Sequence, residues 1–124
     1  MKPREVKTVY VVEDDEGVRD MLERVLGTFY DLRSFASGRE ALNALQAFTP
    51  DVLLTDLSMP DITGEDLAWA AGQIAVPPPR VVVMSGDRRR LLLATQWAHA
   101  ILPKPFAIPA LLGALEDEDG PTKH

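Results

Sequence analysis

The chain has no cysteine. Disulfides, zinc–thiolate centres and cysteine nucleophiles are therefore excluded, and a reducing cytoplasm is the expected location. Long hydrophobic runs are missing too. No stretch approaches the roughly 20 apolar residues of a spanning helix, so no membrane role is expected. The opening Met1-Lys2-Pro3-Arg4-Glu5 leads into a short apolar run that stops at Glu13, too short for a signal-peptide core. Cations are in deficit: 13 Lys and Arg face 19 Asp and Glu, a formal net charge of −6. That argues against direct nucleic-acid binding or acidic-membrane binding by this segment. No strand end carries a glycine-rich phosphate loop, which argues against nucleotide binding. The sequence shows no internal repeat.

What is there suits one soluble α/β domain. The 124 residues match the size of a single domain, and 46% hydrophobic content is enough for a core. Short apolar runs alternate with segments of helical period. Val9 to Val12 reads as a buried strand ending in Glu13-Asp14-Asp15. Val18, Met21, Leu22, Val25, Leu26 and Phe29 then recur at amphipathic-helix spacing. Asp31 to Phe35 is a second strand. Ser37-Gly38-Arg39-Glu40 is a capping box that opens a helix with Ala41, Leu42, Leu45 and Phe48 inside. Val52 to Thr55 runs into Asp56 as a third strand. A helix is predicted from about Glu65 to Ala71, with Trp69 packing it against the sheet. Pro77-Pro78-Pro79 is a stiff connector. Val81 to Met84 is a fourth strand, Leu91 to Ala98 a helix, Ala100 to Leu102 a fifth strand and Ala110 to Leu115 a last helix. The domain is expected over 7–115, between an N-terminal tail at 1–6 and an acidic tail at 116–124.

Strand–helix alternation with apolar, β-branched strands implies a doubly wound five-stranded parallel sheet with helices on both faces. Ligands of such sheets sit beyond the carboxyl ends of the strands. There the polar residues converge: Glu13 and Asp14 after strand one, Asp56 after three, Ser85 after four and Lys104 after five. Carboxylates crowded into one crevice repel. Two unit charges about 4 Å apart cost about 4 kcal/mol at an effective dielectric of about 20. A cation relieves them, and oxygen-only donors favour a hard one such as Mg²⁺. A carboxylate can also attack phosphorus, provided positioning and charge neutralisation are supplied. Lys104 and the Ser85 hydroxyl can contribute both.

Four motifs in order carry a resemblance. Val11-Val12-Glu13-Asp14-Asp15, Asp56-Leu57-Ser58-Met59-Pro60-Asp61-Ile62-Thr63-Gly64, Val82-Val83-Met84-Ser85-Gly86 and Lys104-Pro105-Phe106 are similar to the signatures of response-regulator receiver domains of two-component phosphorelay systems. The likeness covers about Lys7 to Leu115. It implies the flavodoxin-like receiver fold and a signalling phosphoacceptor that assists its own phosphoryl transfer and slow dephosphorylation. Asp56 would take the phosphoryl group from a sensor histidine kinase or phosphotransfer protein, and an unknown output protein or domain would read the change. Asp14 and Asp56 would hold Mg²⁺ directly, Glu13 through water, and Ser58 through its backbone carbonyl. Ser85 and Lys104 would contact the phosphoryl group. The Lys104–Pro105 bond would be cis.

The pattern is broken at Ile101, where receivers carry Tyr or Phe as the partner of Ser85 in the switch. The stretch from Ser85 to Lys104 is a few residues short, and Arg88-Arg89-Arg90 places three cations at a helix start, against the macrodipole. A late-starting or mobile fourth helix is expected, with the arginines either a solvated turn or a docking patch. Asp15 reads as a helix cap, His99 as ordinary surface, and Trp97 as either sheet-edge packing or a partner anchor. A phosphorylation-independent pseudo-receiver, acting as a protein-interaction module, is the alternative reading. A dehalogenase-type phosphatase needs a second Asp where this chain has Ser58. Both a stand-alone receiver and a piece of a longer protein fit the sequence.

Overall fold

A computed structural model describes residues 6–116. Most of both expected tails, 1–5 and 117–124, lies outside the described residues. The elements are β1 (Thr8–Val12), α1 (Glu16–Leu26), β2 (Asp31–Phe35), α2 (Gly38–Ala47), β3 (Val52–Asp56), α3 (Gly64–Ile74), β4 (Arg80–Ser85), α4 (Arg88–Ala94), β5 (Ala100–Pro103) and α5 (Ile108–Glu116). The strands form one parallel sheet in the order β2-β1-β3-β4-β5.

Alternation along the strands builds two cores. Val9, Val11, Val52, Leu54, Val82 and Met84 face α1 and α5, where they meet Leu22, Leu26, Leu111 and Leu115. Tyr10, Val12 and Leu53 point the other way, onto Ala41 and Leu45 of α2 and Leu67 and Ala71 of α3. Leu91 and Ala94 of α4 extend that second layer over Val81 and Val83. Both faces of the sheet are covered, which is why its central strands carry unbroken apolar runs, Val9–Val12, Val52–Leu54 and Val81–Met84. The chain steps from β1 out to β2, then returns to β3 on the other side of β1. The crevice at this reversal lies between Glu13 and Asp56.

Capping residues set the helix starts. Asp15 accepts the Val18 N–H at 3.1 Å and caps α1. Ser37 accepts the Glu40 N–H, and Glu40 reaches back one residue further than a capping box requires, to the Ala36 N–H. Asp87 accepts from the Arg89 and Arg90 N–H groups at 3.0 and 3.2 Å. This cap corrects the expectation of a late fourth helix. The Asp87 carboxylate offsets the arginines against the macrodipole, so α4 begins at Arg88. It also stops at Ala94, earlier than the sequence suggested, where Thr95 folds its hydroxyl back onto the Leu92 carbonyl.

Three inward aromatics prove exposed. Trp69 is 69% exposed: Leu67 and Ala71 take the sheet-facing side of α3, and Trp69, two residues from each, is turned about 160° away from both, onto the opposite side of the helix. Phe48 ends α2 in extended backbone and lays its ring beside Tyr10, 6.3 Å between centroids. Phe29 lies past the end of α1 at Leu26. Trp97 stands with Trp69, Gly72, Pro78, Pro79 and Val81 around an apolar groove of about 420 Å³. His99 is tied to the sheet: its Nδ1 accepts the Val81 N–H at 2.8 Å. Partial burial pulls its pKa below the ordinary histidine value, and the Arg80 charge adds to this.

Candidate functional site

Four of the five strands, all but β2, end by delivering a polar residue to the same rim. β1 stops at Val12, and Glu13 follows with only 1% of its surface exposed. Its backbone is fixed twice, by its own N–H on the Phe35 carbonyl and by Arg19, whose guanidinium donates to the Glu13 carbonyl at 2.9 Å. β3 carries Asp56 as its last residue, 7% exposed. Ser85 closes β4, one position beyond the Met84 that registers with Asp56. Lys104 follows β5 and donates its backbone N–H to the Ser85 carbonyl at 2.9 Å. The Lys104–Pro105 peptide is cis, as is Val76–Pro77.

The side chains then meet. The Lys104 ammonium donates to Glu13 Oε1 at 2.8 Å and to Asp56 Oδ2 at 2.9 Å. Glu13, Asp14 and Asp56 each present a carboxylate oxygen within 4.8 Å of the other two. Burial holds the Glu13 pKa above the ordinary glutamate value, only partly countered by the Lys104 hydrogen bond, while the Asp56 charge adds to the rise. Burial works against the Lys104 charge as well, but its hydrogen bonds to Glu13 and Asp56 outweigh that and raise its pKa. The donors are all oxygens, and three carboxylates face one ammonium. That set fits a hard divalent cation such as Mg²⁺ better than it fits a soft metal.

The loop after β3 is held by several contacts. Asp56 Oδ1 accepts the Ser58 N–H at 3.1 Å. Asp61 accepts the Gly38 and Arg39 N–H groups at the start of α2, at 3.1 and 2.8 Å. The Arg39 bond leads in holding the Asp61 carboxyl below its usual range. Gly64 is where the loop folds back against β3: a Cβ there would lie 2.6 Å from the Asp56 carbonyl oxygen and 2.9 Å from Leu57 Cα. Any side chain would push the loop away. The Ser85 hydroxyl accepts the Asp87 N–H at 2.9 Å and still has its own proton to give. Ile101 registers with Val83 and packs, partly buried, against the cluster of Leu57, Leu91 and Ala94.

Sequence reasoning missed one set of contacts. Arg90 of α4 crosses to α3 and the β3 loop, donating to Glu65, to the Leu57 carbonyl and to the Ser58 hydroxyl. The only available signal was positional. α3 and α4 both start at the strand-end rim, which brings a first-turn glutamate beside a first-turn arginine.

Comparison with known proteins agrees with this geometry. The family model described as "Response regulator receiver domain" matches residues 9–116. The DNA-binding transcriptional regulator NtrC of Escherichia coli K12 is 35% identical over 111 residues, covering 87% of this chain and 24% of NtrC. The transcriptional regulatory protein FixJ of Rhizobium meliloti is 31% identical over 116 residues, covering 88% of this chain and 55% of FixJ. The chain thus spans about a quarter of NtrC and about half of FixJ. Among solved structures, the chemotaxis response regulator CheY4 of Vibrio cholerae superposes with a TM-score of 0.80 at 27% identity, covering 90% of this chain and 97% of CheY4. FixJ-N gives 0.80 at 28% identity, covering 91% and 93%. The chain belongs to the response-regulator receiver domain family of two-component signalling systems.

Proposed function

We propose that Asp56 accepts a phosphoryl group from a histidine kinase or phosphotransfer protein in the cytoplasm, and that the modified domain, residues 7–115, alters its contacts with an output domain or protein. The observation that carries this reading is the Lys104 ammonium bridging Glu13 and Asp56 at the reversal of the sheet. NtrC and FixJ are transcriptional regulators by name; the net charge of −6 on this chain argues against direct nucleic-acid binding by this segment and supports a protein as its direct partner.

An Asp56 carboxylate oxygen attacks phosphorus as the bond from phosphorus to the donor imidazole breaks. The bonding pair leaves on the imidazole nitrogen. Asp56 is oriented by the Ser58 N–H on one oxygen and by Lys104 on the other. Lys104 balances charge arriving on the phosphoryl oxygens, and the Ser85 hydroxyl proton is a further donor to them. Glu13, Asp14, Asp56 and the Ser58 carbonyl would hold Mg²⁺. When bound, the ion supplies charge neutralisation for an incoming phosphoryl group. The added charge, about −2, and three acceptor oxygens then draw on the same donors and bias the loops that bear them. Ser85 and Ile101 are the switch positions. Ile101 lies under α4, so any coupling through it is by repacking of an aliphatic side chain. The assembled carboxylates and lysine do not favour a phosphorylation-independent module.

Incubation with Mg²⁺ and a small phosphoryl donor, followed by intact mass, tests this reading. The wild type is expected to gain one phosphoryl group and Asp56→Asn none. Equal gain by both proteins would assign the acceptor elsewhere.

A further inference from the structure

Arg90 makes contacts that a solvated surface arginine has no need of. Its Nη2 donates to both carboxylate oxygens of Glu65, at 2.9 and 3.1 Å, and to the Leu57 carbonyl at 3.0 Å. Its Nη1 donates to the Ser58 hydroxyl at 2.5 Å. One planar guanidinium therefore ties the first turn of α4 to the first turn of α3 and to two consecutive residues of the loop after Asp56. Those two residues matter. Leu57 follows the acceptor directly, and Ser58 gives its N–H to Asp56 Oδ1. The guanidinium is about a third exposed and Glu65 somewhat more. The ion pair alone is thus weak, and the value of the bridge lies in its geometry.

We propose that Arg90 is a positioning residue for the acceptor loop: its fork fixes the Leu57–Ser58 segment so that the Ser58 N–H and carbonyl are set for Asp56 and for the divalent cation. This rests on the reading of Asp56 and its neighbours as a Mg²⁺-dependent phosphoacceptor site. Three features support it. The fork has donors enough to serve a carboxylate, a carbonyl and a hydroxyl at once, which a lysine ammonium cannot match in a fixed plane. Glu65 neutralises the arginine, so the bridge adds no net positive charge to compete with the cation. The sequence also places no aromatic at 101 to link α4 to the site. Arg90 instead provides a direct polar link, so that ordering the loop stabilises the start of α4 and the reverse.

The test compares wild type, Arg90→Ala, Arg90→Lys and Leu91→Ala. Mg²⁺ affinity is read by calorimetry, and amide exchange at Leu57 and Ser58 is read without metal. Leu91→Ala trims the packing of α4 in the cluster it shares with Leu57 and leaves the Arg90 fork itself in place. Partners that orient metal ligands are each worth about tenfold or more in affinity. Arg90→Ala and Arg90→Lys are both expected to weaken Mg²⁺ binding by about that factor and to speed exchange at the two amides. Leu91→Ala is expected to lower thermal stability with Mg²⁺ affinity kept. Wild-type affinity and exchange in Arg90→Ala would overturn the positioning role alone. An equal loss of affinity in Leu91→Ala would reduce Arg90 to general support of α4 and overturn it too. A wild type that binds no Mg²⁺ would overturn both this inference and the reading beneath it.

Discussion

Glu13 sits almost wholly out of water, with the Lys104 ammonium on one oxygen and the Asp15 N–H on the other. Its raised pKa means that, at neutral pH and without metal, the folded state holds a carboxylate less comfortably than the unfolded chain does. A raised pKa contributes stability that is full below the unfolded value and lost as pH rises through the folded one. Glu13→Gln removes that loss. In chelator, the variant is therefore expected to be more resistant to urea than wild type at pH 7.5. The gap should shrink as pH falls toward the ordinary glutamate value of 4.5. A gap that widens on acidification would show that Lys104 stabilises the charged form more than burial opposes it. The acidic and basic members of the cluster were legible in the sequence, because each follows an apolar strand run directly. Arg90 was not. Its meaning depends on Glu65, 25 residues earlier, and a charge run read alone shows only its conflict with the helix macrodipole.

At the scale of elements, helical period located α1 to α5 but misassigned side chains near the edge of the apolar stripe. In α3 the stripe is set by Leu67 and Ala71, both buried, and Trp69 faces out despite its size. Leu67→Ala is expected to cost about 2–5 kcal/mol, as truncation of a buried leucine does. Trp69→Ala should stay within about 0.5 kcal/mol, as for surface positions. Urea unfolding of the two variants measures this, and a large loss in Trp69→Ala would mean that its ring stabilises the groove it shares with Trp97. The start of α4 illustrates the other kind of error. Three arginines argued for a late start, yet Asp87 immediately before them supplies both a cap and a counter-charge. Capping is local and was readable. Three consecutive arginines dominate the local charge pattern, and the single aspartate that compensates them stands just outside the run.

For the whole molecule, the decisive fact is the return of the chain across β1 between β2 and β3. It sets Glu13 and Asp56 on neighbouring strands and leaves their crevice unbridged by any crossover. Alternating apolar strands and helices made the sheet class legible. The strand order is read from the structure, because periodicity does not say which strands pair. With that order, four strand ends distant in sequence form one rim, and Lys104 reaches Glu13 across 91 positions. On the proposed reading, this rim makes Asp56 the acceptor among three clustered carboxylates. Hydroxylamine converts an acyl phosphate to a hydroxamate on the carbonyl that bore it. The most direct measurement is therefore peptide mapping by mass spectrometry after phosphoryl donor, Mg²⁺ and hydroxylamine. On this reading a hydroxamate is expected at Asp56 and none at Glu13 or Asp14. A hydroxamate at either of those two, with Asp56 unmodified, would contradict it.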